Sequence, residues 1–212
     1  MDDLSSIVQG TDEWFAARLG RVTASRVADV IAKTKSGPSA SRANYMAELV
    51  AERLTKTPAD KFTNAAMQWG TDQEPAARNL YEFMKDVEVI QVGFVAHPSI
   101  EMSGASPDGL IAADGLVEIK CPNTATHIDT LVNGDVAGKY ITQIQWQLAC
   151  TGREWCDFVS FDPRLPASMQ LFVRRVARDD ARISELERDV RAFLSELDRT
   201  VATLIEKYER AI

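Results

Sequence analysis

The chain has 212 residues, 45% of them hydrophobic, which suits one domain with a sizeable core. No apolar run is long enough to span a membrane, and the Met1-Asp2-Asp3 opening lacks a basic-then-apolar leader, so a cytoplasmic location is expected. The net charge of −7 argues at first against a nucleic-acid partner, but the charge is unevenly spread. Phe15 to Lys56 holds eight Lys/Arg against three Asp/Glu, whereas Asp179 to Ile212 holds nine acids against six bases. Local positive charge is all a phosphate-binding face needs, although two solvated helical faces would have the same composition. Cys121, Cys150 and Cys156 have no Cys-x-x-Cys spacing and are expected to be reduced and structural, with neither a disulfide framework nor a zinc or iron–sulfur site.

The first half reads as helical. Thr23 to Ala32 is expected to form a short helix with Thr23 or Ser25 as N-cap. "KSGPSASR" is a turn-rich basic loop, and Ser41 to Thr55 is a second helix. A third is expected to begin at Thr71 in "WGTDQEPAARNLYEFM", with Thr71 as cap, Glu74 as its capping-box partner and Pro75 in the first turn. "VEVIQVGFVAHP" then alternates as a strand or hairpin would. "LIAADGLVEIK" reads as two strands around a turn at Asp114-Gly115. Helices over Thr124 to Val132 and Lys139 to Ala149 follow, then strands in "WCDFVSFD" and "SMQLFVRRV".

From about Asp179, Ile183, Leu186, Val190, Phe193, Leu197, Val201, Leu204 and Tyr208 recur at three and four residues, a helical stripe about 50 Å long. It suits packing across the sheet or a subunit contact. The order is helices, a mixed sheet with inserted helices, then a closing helix, which is α/β, or α+β by a strict definition.

One stretch carries chemistry: "SPDGLIAADGLVEIKCP". If its two strands pair, Asp108 converges on Glu118, and Glu118 and Lys120 share a strand face. Two carboxylates and a lysine are costly on a buried face but suit Mg²⁺ or Mn²⁺. Such an ion polarises a phosphoryl oxygen and lowers the pKa of bound water, and a nearby ammonium offsets charge developing on phosphate. An exposed acidic turn followed by a surface ion pair is the plainer reading of the same residues.

Pro107-Asp108, nine residues, then Glu118-x-Lys120 resembles the PD-(D/E)xK nuclease motif. "QGTDEWFAARLGRVTAS", "WGTDQEPAAR", "SPDG", "EIKCP" and "QIQWQLACTG", in that order from about Gln9 to Asp162, resemble the lambda exonuclease branch of that superfamily, the YqaJ-type phage alkaline exonucleases. The resemblance implies a restriction-endonuclease-like core: a mixed central sheet flanked by helices, with N-terminal helices and a long C-terminal helix. It implies one exonuclease domain with its core over about 9–178 and the helix over about 179–211. The implied enzyme is a Mg²⁺-dependent 5′-to-3′ exonuclease on double-stranded DNA. It would release 5′-mononucleotides and leave a 3′ overhang for recombination by single-strand annealing, in a bacterial or phage-infected cell.

Carried over residue by residue, the resemblance implies metal binding by Asp108, Glu118, the Ile119 carbonyl and Glu74, with two Mg²⁺ ions for which Mn²⁺ substitutes. Glu74 thus has two competing roles, ligand or helix cap. Lys120 would be the catalytic lysine, Gln143 would position the attacking water and Tyr140 would lie near the scissile phosphate. Arg18, Ser25 and Ser106 would hold the terminal 5′-phosphate, and a guanidinium reads such a group bidentately. Lys35 stands where lambda exonuclease has a DNA-contacting arginine; it keeps the charge and loses the planar fork.

The implied partners are DNA ends, two further copies in a ring-shaped trimer whose channel the basic segment would line with the acidic tail outside, and a single-strand annealing protein. A structure-specific or restriction-type endonuclease of the same fold, or a non-catalytic end-binding scaffold, are the alternatives.

Overall fold

The computed structural model describes residues 4–35, 37–58 and 65–208. In chain order its elements are α1 (Asp12–Arg18), β1 (Val22–Thr23), α2 (Val27–Ile31), β2 (Lys33–Thr34), β3 (Gly37–Pro38), α3 (Ala40–Thr55), α4 (Ala65–Lys85), β4 (Val89–Ile90), β5 (Val95–Ala96), β6 (Ser103–Ala105), β7 (Gly109–Ile111), β8 (Gly115–Lys120), α5 (Thr124–Asn133), α6 (Gly138–Thr151), β9 (Trp155–Phe161), β10 (Leu171–Ala177) and α7 (Asp180–Tyr208). The architecture is the expected mixed α/β one. Among the described residues no helix is long and apolar enough to cross a membrane.

A five-stranded sheet runs β10-β9-β8-β7-β4. β8 and β9 are parallel, and every other neighbouring pair is antiparallel. β8 is its centre, and its two faces differ. Val117, Ile119 and Cys121 pack against Ala77 and Tyr81 of α4. Leu116, two residues before Glu118, packs against Ile144 and Leu148 of α6. A smaller sheet, β1-β6-β5, lies beside a helical core in which Tyr45, Trp146, Leu186, Val190, Phe193 and Leu197 are buried.

The sequence periodicity places most elements, and several expectations need correction. α4 begins at Ala65 rather than Thr71 and continues through Pro75. Trp69, Ala77 and Tyr81 keep one face packed on the sheet, which offsets the donor that proline removes. Glu74 is therefore mid-helix, and the capping-box role for Thr71 and Glu74 falls away. Thr23 to Ala32 is a 3-10 turn, Ala24–Arg26, followed by the short α2, and Thr23 makes no side-chain cap bond.

"VEVIQVGFVAHP" is no hairpin: β4 belongs to the large sheet and β5 to the small one. Its middle is held by the N-terminal segment, where the Gly93 N–H donates to the Ser5 carbonyl (2.7 Å) and Gln9 Nε2 donates to the Val92 carbonyl (2.8 Å). In the β7–β8 turn the positive φ (47°) falls on Ala112. Gly115 serves close approach instead, since a Cβ there would lie 2.2 Å from the Trp155 ring.

α7 buries Ile183 through Leu197 mainly against the helices α2, α3 and α6 rather than across the large sheet as expected, while Tyr208 is exposed. Residues 209–212, which the sequence reading partly includes in this helix, lie outside the described residues. The basic segment and the acidic tail are also less separate than expected. Arg42 pairs with Glu196 at 2.7 Å and Arg53 with Asp198, so two of the eight bases tie α3 to α7. Arg26 is likewise held by Asp29 and Glu48. Partial neutralisation reflects the proximity of α3 and α7, which linear charge counting does not reveal.

Candidate active site

The Gly109↔Val117 register of β7 and β8 sets Asp108 at the level of Glu118. Gly109 makes that approach possible, because a Cβ there would lie 2.1 Å from Val89 Cγ1. Asp108 Oδ2 accepts the Ile119 N–H at 2.6 Å, which fixes the carboxylate against β8. Glu118 is 1% exposed and fully engaged. Its Oε1 accepts from Gln143 Nε2 at 2.6 Å and pairs with Lys120, and its Oε2 accepts from Gln147 Nε2 at 2.5 Å. Alternation along β8 thus puts Glu118 and Lys120 on the α6 face, as expected. Tyr140 lies on the same side: its ring stacks on Phe158, and Lys120 Nζ is 5.4 Å from its centroid.

The electrostatics follow from crowding. Burial, and then the charges of Glu118 and Glu74, push the Asp108 carboxyl well above the usual carboxylate range against the pull of Lys120. Burial would lower Lys120, but Glu118 and Asp108 outweigh it and hold the ammonium above its ordinary value. Asp108 and Glu118 bring hard carboxylate oxygens together, the donor type a divalent cation such as Mg²⁺ takes. The residues therefore fit a Mg²⁺ or Mn²⁺ site, with Asp108, Glu118 and the Ile119 carbonyl as candidate ligands. Among the described residues no three His, Cys, Asp or Glu side chains gather closely enough to ligate one ion by themselves. Glu74 is near enough to act on Asp108 but is captured one helical turn on by Arg78, at 2.5 Å.

A cavity of about 930 Å³ adjoins Glu74. Arg18, Ser25, Arg26 and Arg78 are among its lining residues. Arg18 has no carboxylate within 4 Å among the described residues; its guanidinium lies 4.1 Å from the Trp14 ring centroid and donates to Ser106 Oγ at 3.3 Å. Burial lowers its pKa to about 10 against the opposing charges of Tyr45 and Glu52. Ser106 Oγ also accepts from Trp14 Nε1 at 2.9 Å. The structure thus joins Arg18 to Ser106 directly and to Ser25 through the cavity. Lys35 is apart from these groups, exposed at the tip of the β2–β3 hairpin.

Three contributors escaped sequence reading: Trp14, Arg78 and Gln147. Nothing in the sequence set Gln147 apart from an ordinary polar helix residue; the structure buries every residue of "QIQWQLAC", its three glutamines included. Gln145 takes a structural place, donating to the Ala177 carbonyl and accepting from the Asp179 N–H at the entry to α7. Cys121, Cys150 and Cys156 are free and buried, with burial raising the Cys121 thiol to about 12.

Residues 13–154 match the family described as the YqaJ-like viral recombinase domain. The chain belongs to this family. An alkaline exonuclease (LHK-Exo) from Laribacter hongkongensis is 55% identical over 95% of this chain and 100% of its own, with a TM-score of 0.89. The same protein in complex with dAMP superposes with a TM-score of 0.90. A phage related exonuclease from Haemophilus somnus 129PT, 15% identical, covers 87% of this chain and 96% of its own with a TM-score of 0.68, a likeness of fold alone. No curated protein matches the chain in sequence. Among YqaJ-like proteins, then, this chain combines a carboxylate–lysine cluster with an adjoining arginine-lined cavity.

Proposed function

We propose that this YqaJ-like protein is a 5′-to-3′ exonuclease on double-stranded DNA that removes one mononucleotide at a time. It is a nuclease, and the observation that carries the finer reading is the segment Ser106-Pro107-Asp108. Ser106 touches Arg18 at the cavity, and two residues later Asp108 meets β8. Two residues of chain span at most about 7 Å, on the order of one nucleotide. An end phosphate held at the first point leaves the next phosphodiester at the second. The relative solved with dAMP, a mononucleotide, supports that product size.

Arg18 supplies two parallel N–H donors to the doubly charged terminal phosphate, with Ser25 beside it. Ser106 Oγ accepts from Trp14 and Arg18, so its own O–H proton remains for a phosphate oxygen. Asp108, Glu118 and the Ile119 carbonyl would hold a Mg²⁺ ion, and Glu74 a second once released from Arg78. Bound there, Mg²⁺ would polarise the scissile phosphate and acidify a water. Gln143 is placed to orient that water through its amide, Lys120 to offset charge growing on the phosphate, and Tyr140 to flank it. Lys35 would touch DNA farther out. The reading extends to a single domain acting in the cytoplasm as a ring-shaped trimer beside a single-strand annealing protein.

Linear duplex DNA bearing a 5′-phosphate or a 5′-hydroxyl, incubated with Mg²⁺, tests this reading. Mononucleotide release faster from the phosphate end is expected, and closed circles should survive. Faster digestion from the 3′ end, or cutting of closed circles, would overturn it. Sedimentation as a monomer at working concentration would remove the ring.

A further inference from the structure

Gln147 has no part in the reading above, yet it makes the 2.5 Å bond to Glu118 Oε2. It is 0% exposed and cannot reach DNA. Its own Oε1 is buried without a hydrogen-bond partner, and leaving a buried carbonyl unpaired costs stability. A residue kept for packing would more simply be apolar, like its neighbours Ile144 and Leu148. The amide is thus aimed at Glu118 at the expense of its other end.

Glu118 has a reason to need it. The terminal torsion of a glutamate is soft, so its carboxylate turns readily unless both oxygens are held. Oε1 is held by Gln143 and by Lys120, whose side chain is 27% exposed, and both have other work when substrate binds. Oε2 is held by Gln147 alone among the described residues. Resting on the metal-dependent reading above, we infer that Gln147 is a positioning residue: it pins Glu118 Oε2, so that Oε1 is the oxygen offered to the cation when Gln143 and Lys120 turn to the water and the phosphate. Gln143 and Gln147, one helical turn apart on α6, divide the work, one mobile and one fixed.

The test is calorimetric titration of the full-length protein with Mn²⁺, comparing wild type with Gln147→Met and Gln147→Leu, which keep the bulk and remove the donor. Gln147→Met should bind Mn²⁺ about 10-fold or more weakly. kcat should fall while KM for 5′-phosphorylated ends, set at Arg18, stays near wild type. Wild-type affinity in folded Gln147→Met overturns the inference. Wild type that binds neither Mn²⁺ nor Mg²⁺ overturns the metal reading itself, a different result. If the variants do not fold, a crystal structure of wild type with Mn²⁺ decides: Gln147 Nε2 on Oε2 with the ion at Oε1 is expected, and the ion at Oε2, or Gln147 turned away, overturns the inference.

Discussion

The two faces of β8 carry opposite duties on one strand. Toward α4, Val117, Ile119 and the adjoining Cys121 pack in an apolar cluster with Ala77 and Tyr81 and stabilise the fold. Toward α6, Leu116 gives way to Glu118 and Lys120, and the helix answers with Gln143 and Gln147. Residues one apart thus differ entirely in what they cost and what they do. The apolar face contributes the burial that lets the polar face keep charges in a low-dielectric site, where their field on a phosphate is strongest. Two carboxylates repeat the lesson. Asp162, fully buried, is matched by a bidentate Arg164, and its pKa falls to about 2 because those bonds outweigh its burial. Asp108 is crowded by like charge and moves the other way.

The contrast can be broken from either side. Asp108→Asn should cut nucleotide release by at least about 100-fold. Its thermal midpoint should hold or rise, since the change removes charge crowded against Glu118 and keeps an oxygen for the Ile119 N–H. A midpoint lowered by several degrees would undo the division of duties. Ile119→Ala, on the opposite face, should cost about 2–5 kcal/mol in denaturant unfolding. Turnover per folded molecule should stay within a few-fold, because the backbone N–H that holds Asp108 is unchanged.

Gly109→Ala should blur the two faces. The added Cβ must displace Val89, costing about 1–3 kcal/mol, and it shifts Asp108, so stability and turnover should fall together. The smallest effect concerns Asp162. Its folded pKa, about 2, lies below its ordinary 3.8, so its contribution is complete above about pH 4 and lost as pH falls toward 2. The midpoint gap between wild type and Asp162→Asn should therefore narrow over that range; a gap constant with pH would show that Asp162 stabilises by shape rather than charge.

The motif was readable because charged residues at alternate positions of an otherwise apolar strand violate burial, and few arrangements excuse that. Glu74 was only half readable. Its place after Thr71 suggested a cap, and only the helical residues from Ala65 onward show it at mid-helix, one turn before Arg78. Gln147 looked like any polar helix residue until α6 was known to be buried on nearly every side.

The linear chain already determined most of its helices and strands through their hydrophobic periods, the Pro107-Asp108 and Glu118-x-Lys120 pattern, and the membership those motifs implied. Local geometry suffices for these, since strand alternation alone places Glu118 and Lys120 on one face. Only the tertiary structure decided which oxygen of Glu118 each glutamine holds, that Arg78 takes Glu74, that Arg42 and Arg53 bind α7, and that Ser106 meets Arg18 and Trp14. Each of these joins side chains through the packing of whole elements, and the free energy that selects them exists only once those elements are docked.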